Sequence, residues 1–102
     1  MINEMELLPW DSAAFLKTPE AQAEYLIAAF ETDDPKFIAR ALGTVARARN
    51  LSQIARDAGM TRAALYRAFN GETKPEFATI LNILRALGLG LVPVTRNPNK
   101  AP

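Results

Sequence analysis

Residues 51–70 read LSQIARDAGMTRAALYRAFN, and the spacing inside this stretch decides the fold. Ser52 is placed to cap a short helix ending near Ala58, and Gly59 suits the left-handed backbone of a helix exit. Thr61 is placed to cap a second helix through Phe69, which Asn70-Gly71 stops. Two helices crossing at a turn of three or four residues need a small residue at the crossing and tolerance of φ > 0 four positions later; Ala55 and Gly59 meet both needs. Ile54, Ala58, Met60, Leu65 and Ala68 fall at inward positions, with Gln53, Arg56, Asp57, Arg62 and Arg67 between them. This is the spacing of a DNA-binding helix-turn-helix. An ordinary helical hairpin would use Ala55 and Gly59 for packing alone, but the flanking helices and the charge favour the first reading.

Outward from this unit, every strong signal is helical. Thr18-Pro19-Glu20 reads as a cap, a first-turn proline and a first-turn acid, opening a helix through about Glu31. Its acids Glu20, Glu24 and Glu31 share one face, and Tyr25, Leu26, Ala29 and Phe30 form its apolar side. Asp34-Pro35 repeats the start signal, and Phe37, Ile38, Ala41, Leu42, Val45 and Ala46 recur at helical spacing through about Arg49. Beyond the 51–70 unit, Pro75 starts a helix with a stripe of Phe77, Ile80, Leu81, Leu84 and Leu87, ended by Gly88. Pro9 to Lys17, with Trp10 as an aromatic anchor and Asp11 as a cap, is long enough for one helical turn. Leu89 to Val94 leans towards a short edge strand, and Arg96 to Pro102 should fray. The expectation is an all-α fold of five helices in one domain: an acidic helical extension over 1–34, a helix-turn-helix core over 35–88, and a strand and tail over 89–102.

Composition narrows the function. The 102 residues include no Cys and no His, which excludes disulfides, thiolate nucleophiles and cysteine-based metal sites and removes the commonest general base. No metal and no cofactor are therefore expected. The longest uncharged stretch, Ala86 to Thr95, is far short of the ~20 residues of a membrane helix, and the acidic start lacks the basic region of a secretory signal. A cytoplasmic protein is expected. The net charge of +1 hides a division: residues 1–34 carry eight acids against Lys17 alone, for −7, while residues 35–102 carry eleven bases against Asp57, Glu72 and Glu76, for +8. The basic part suits a polyanion, and the acidic part would repel one and suit a basic protein.

If the unit binds DNA, Thr61 to Asn70 is the recognition helix, with Thr61, Arg62, Ala63, Tyr66, Arg67 and Asn70 facing outward. Arg62 and Arg67 can donate two hydrogen bonds to guanine, Asn70 can read adenine or bind a phosphate, and the Ala63 methyl can meet thymine. Tyr66 is expected to be partly core. Gln53, Arg49, Arg56 and Lys74 sit where the preceding segments and the following loop would meet the phosphate backbone.

Several groups of residues together resemble a known family. They are Trp10-Asp11 with Phe15-Leu16, Pro19-Glu20, Tyr25-Leu26, Ala41 to Arg49, Ile54 to Gly59, Leu65-Tyr66, Pro75-Glu76-Phe77 and Leu84 to Leu89. The family is that of the HigA-like addiction-module antidote proteins, type II antitoxins with a lambda-repressor-like fold. The resemblance implies a DNA-binding dimer that represses its own operon at an operator and neutralises a small basic toxin of the RelE/ParE-like (HigB-like) superfamily. Thr61-Arg62-Ala63 stands where the family commonly has Ser-Arg-Glu, which implies a different operator sequence. Glu20, Glu24 and Glu31 are the expected toxin contacts, by sign complementarity with a basic partner. The dimer surface is expected on the Phe77 to Leu87 helix or the Leu89 to Val94 strand. The alternative is a plain helix-turn-helix repressor without a toxin. An enzyme built on Glu31, Asp33 and Asp34 is disfavoured, because no nucleophile or base accompanies them and Asp34-Pro35 already serves a helix start.

Overall fold

A computed structural model of the chain describes residues 16–96. Trp10, Asp11 and most of the Pro9 to Lys17 turn lie outside the described residues, as does the tail beyond Arg96. Five helices follow in order: α1 (Pro19–Phe30), α2 (Pro35–Arg49), α3 (Leu51–Asp57), α4 (Arg62–Ala68) and α5 (Phe77–Ala86).

The caps explain most of these limits. Thr18 Oγ1 accepts from the Ala21 amide, and Asp34 Oδ1 accepts from the amides of Lys36 and Phe37, each in front of a proline at the first helical position. Between them the chain turns through Asp33, whose φ of 60° is a left-handed conformation that Asp tolerates better than most residues. The cap of α3 is Asn50 and not Ser52: Asn50 Oδ1 accepts from the Gln53 amide, and Asn50 is the last extended residue before the helix. Ser52 comes too late, since the backbone has already turned helical at Leu51. α5 likewise begins at Phe77, two residues after the expected Pro75, because Glu76 is still extended with ψ 152°.

α2 is the central helix. α1 packs on one part of it, while α3 and α4 pack on others, and α5 closes against α3. The core runs continuously through Leu16, Leu26, Leu42, Val45, Ile54, Leu65, Phe69, Ile83, Leu84 and Leu87. Each large side chain taken fully out of water here contributes about 1.5–3 kcal/mol. Among the described residues one polar side chain lies inside: Gln22, 5% exposed. Its Nε2 donates to the Leu16 carbonyl, while its Oε1 accepts from Arg49 Nη1, which also donates to the Leu87 carbonyl. One side-chain pair thus ties α1 to the C-terminal ends of α2 and α5.

The edge strand expected over Leu89 to Val94 does not form; no strand occurs among the described residues. A strand needs a neighbour for its hydrogen bonds, and the described residues, all helix and loop, offer none. Phe77, expected in the apolar stripe of α5, is 62% exposed at the first residue of its helix, while Ile83, Leu84 and Leu87 carry the buried side.

Candidate nucleic-acid interface

α3 and α4 are joined by a turn of four residues, Ala58 to Thr61. The Met60 amide donates to the Ala55 carbonyl at 2.8 Å and the Gly59 amide to the Arg56 carbonyl at 3.1 Å. This pair of bonds closes a helix through a left-handed residue, and Gly59 supplies it with φ 74° and no Cβ to strain. Ala55, 1% exposed, lies at the centre of the unit, and Ile54, Ala58 and Leu65 are buried with it. Met60 and Ala68 are partly buried against the same core. Thr61 Oγ1 accepts from the Ala64 amide, so the start of α4 is fixed by its own cap.

The outer side of α4 is open. Thr61, Arg62, Ala63, Tyr66 and Arg67 are all exposed. Tyr66, expected to be partly core, is 55% exposed and stands between the two arginines in sequence; the buried aromatic of this helix end is instead Phe69. Asn70 is half-buried, and its Oδ1 accepts from the Glu72 amide, so its carbonyl oxygen already holds the loop that follows. In that loop Thr73 Oγ1 lies 3.5 Å from the Arg67 carbonyl, Arg40 lies against Gly71, and Lys74 is exposed.

On α3 the outward residues hold one another. Gln53 Nε2 donates to Asp57 Oδ1, and Arg56 Nη2 donates to Gln53 Oε1. Both ends of the Gln53 amide are therefore engaged, and Arg56 is the cation on this face. Arg49, expected beside it, stays exposed but commits its Nη1 to Gln22 and the Leu87 carbonyl. Periodicity places Arg49 at the surface but cannot show these partners, which come from other helices.

The acidic residues expected to meet a toxin lie on α1 and its exit. Glu20, Glu24 and Glu31 are exposed at the spacing of one helix face, as expected, and Ile27 is exposed among them. Ile27 drew no attention in the sequence. Its signal was its spacing, i+3 from Glu24 and i−4 from Glu31. The remaining carboxylates of this region have structural partners: Asp34 caps α2, and Asp33 Oδ1 accepts from Arg96 Nη2 at 3.0 Å. No group of three or more acids, histidines or cysteines able to hold a metal occurs among the described residues. No helix of the described residues is long and apolar enough to cross a membrane.

The chain is 44% identical over 84 residues to an uncharacterised protein of Haemophilus influenzae, a match covering 82% of this chain and 87% of that protein. No solved structure matches it significantly. A family model described as "Probable addiction module antidote protein" matches residues 6–95. The chain belongs to this family of probable addiction module antidote proteins, a family of antitoxins and not of enzymes.

Proposed function

We propose that this protein is a two-sided antitoxin: it binds and silences a small basic toxin of the RelE/ParE-like (HigB-like) class, and it represses its own operon as a homodimer docked on operator DNA. The observation that carries the reading is the placement of opposite charge on helices separated by α2. Exposed Glu20, Glu24 and Glu31 belong to α1 and its exit, whereas exposed Arg62 and Arg67 belong to α4. A basic protein and a polyanion would each be drawn to one of these surfaces and repelled by the other.

For the DNA side, α3 and α4 act as a helix-turn-helix of lambda-repressor type within a 35–88 core, with α4 entering the major groove. Arg62 and Arg67 read base edges, Ala63 and Tyr66 add apolar and stacking contact, and Thr61 holds the helix start. Asn70 positions the loop and keeps its amide N–H groups for a phosphate. Lys74 and Arg56 meet the backbone, and Gln53 keeps Arg56 aimed. Such a complex forms in the cytoplasm. Two copies related by a two-fold would present their α4 helices about 34 Å apart, one turn of DNA.

The test is titration of the purified protein with the duplex upstream of its own gene and with a random duplex of equal length. Preferential binding to the upstream duplex, weakening steeply with salt, supports the reading. Equal affinity for both would leave only non-specific attraction and contradict it.

A further inference from the structure

Three cations of α2 have no acidic partner among the described residues, whose one ion pair joins Arg96 to Asp33. α2 carries Lys36, Arg40, Arg47 and Arg49 and no acid. Arg49 is committed to Gln22 and the Leu87 carbonyl, whereas Lys36, Arg40 and Arg47 are exposed and belong to no site described so far. At about 100° per residue these three fall within an arc of about 40° on the helix, roughly opposite Arg49. They form a basic ridge.

The ridge lies where α4 meets α2. Phe69, at the end of α4, is seated on Gly43, and Arg40 stands three residues before that glycine and Arg47 four after it, one helical turn to either side. Arg40 also covers the loop beyond α4: a Cβ built on Gly71 would fall 2.9 Å from Arg40 Nε and 3.5 Å from its Cβ. Arg47 Nη2 donates to Thr44 Oγ1 at 3.3 Å, and Thr44 Oγ1 donates to the Arg40 carbonyl at 3.0 Å, which holds Arg47 against the turn that carries Arg40. That bond uses one of the five N–H donors of Arg47, and the Arg40 guanidinium donates to no acceptor among the described residues. Two cations beside the end of α4 also suit the negative end of its dipole, but that role does not reach Lys36, a further turn away.

We propose that Arg40 and Arg47, with Lys36 beyond them, form a second phosphate-contact surface that holds one strand of the duplex beside the groove α4 enters; this rests on the DNA-binding reading above. Continuity favours this occupant, because Arg40 lies against Gly71, in the loop that carries exposed Lys74. Charge favours it too, since a basic protein would be repelled by the ridge. Arg40 and Arg47 are about 10 Å apart along α2 at 1.5 Å per residue, the axial interval of about three phosphates of one strand. Contacts of this kind fix the register of α4 on the duplex and carry no base preference of their own.

The experiment measures fluorescence anisotropy of the full chain on the duplex upstream of its own gene and on a random duplex, over a range of salt concentrations, with circular dichroism to confirm that each form remains helical. Arg40→Gln with Arg47→Gln should weaken both duplexes alike, about tenfold, and lower the slope of log K against log salt by about 2, one for each phosphate released. Arg40→Lys with Arg47→Lys restores the charge and should restore the slope. Lys17→Gln with Arg85→Gln removes the same charge from exposed positions elsewhere and should leave the slope within about 0.5 of wild type. A slope unchanged by the glutamine pair, while the wild type still prefers the upstream duplex, overturns the ridge and leaves the DNA reading standing. An equal fall in the Lys17 and Arg85 pair reduces the effect to net charge and overturns the ridge as well. An unchanged slope with a lower mass in sedimentation equilibrium overturns the phosphate assignment and gives the ridge to an acidic face of a second copy. A wild type that binds neither duplex, or both equally, overturns the DNA reading and the ridge with it.

Discussion

Gly43 of α2 passes so close beneath Phe69, at the end of α4, that a Cβ built on Gly43 would fall well under 3.0 Å from the Phe69 carbonyl oxygen and 3.3 Å from its Cβ. The absence of a side chain at Gly43 is what lets α4 seat on α2, and Phe69 fills the core at that seat. Alanine would favour the helix by about 1 kcal/mol on propensity alone. Overpacking against a backbone carbonyl, which cannot rotate away, costs about 1–3 kcal/mol and lies here at the upper end. Gly43→Ala should therefore lower stability in urea unfolding by about 1–2 kcal/mol. Gly90→Ala, where a Cβ meets nothing within 4 Å, should leave it unchanged.

The buried Gln22 couples distant parts of the chain. Gln22→Ala leaves the Leu16 carbonyl without its donor and Arg49 without its acceptor on α1, and should cost about 1–3 kcal/mol. Arg49→Ala should cost a similar amount, because the Leu87 carbonyl loses its donor. The double variant should lose less than the two single losses added together, by about 0.5 kcal/mol or more, since the pair shares one network. Strict additivity in urea unfolding would show that the bond between them contributes nothing.

On DNA, arginine and lysine should behave differently. Arg67→Ala should weaken binding to the upstream duplex by about 1–3 kcal/mol and leave random DNA less affected. Lys74→Ala should weaken all sequences alike and reduce the salt slope by about 1. Gln53→Ala, which frees Arg56 and Asp57 from their amide partner, should act in the manner of Lys74→Ala and not of Arg67→Ala. Fluorescence anisotropy over a range of salt concentrations separates these outcomes.

The helix limits that carry a local chemical signal are legible in the sequence. Thr18, Asp34 and Thr61 each cap the helix expected of them, and Gly59 makes the turn its position suggests. Where two cap-forming residues stand close together, as Asn50 and Ser52 do, composition cannot choose, because the choice depends on which residue is the last extended one. Phe77 leaves the apolar stripe expected of it, and Gln22, a polar residue, lies buried, each for a tertiary reason. Gln22 is buried because Arg49 and the Leu16 carbonyl satisfy its amide, and Phe77 is exposed because it starts α5. Hydrophobic spacing reports a helix face, and partners from other helices decide what covers it. On the candidate DNA face, the exposure of Thr61, Arg62, Ala63 and Arg67 follows from spacing, whereas the exposure of Tyr66, the half-burial of Asn70 and the engagement of Gln53 and Asn70 depend on tertiary packing and hydrogen bonds that spacing does not encode.

Residues of α1 and its exit should matter to the toxin and not to the DNA. Glu20→Lys, Glu24→Lys and Glu31→Lys together reverse the charge of an exposed surface without touching a buried group, so the fold should persist. Ile27→Asp removes the apolar centre of the same surface and should weaken toxin binding even at a salt concentration that screens the acids.

The most direct test of the two-sided account expresses the product of the gene adjacent to that of this chain, alone and together with three forms of the chain, and measures growth, co-purification and binding to the upstream duplex. The wild type should restore growth, co-purify and bind DNA. The triple Glu→Lys variant at 20, 24 and 31 should lose rescue and co-purification but keep DNA binding, and Arg62→Ala with Arg67→Ala should do the reverse. Loss of both activities in either variant, or rescue undiminished by the triple reversal, would contradict the account.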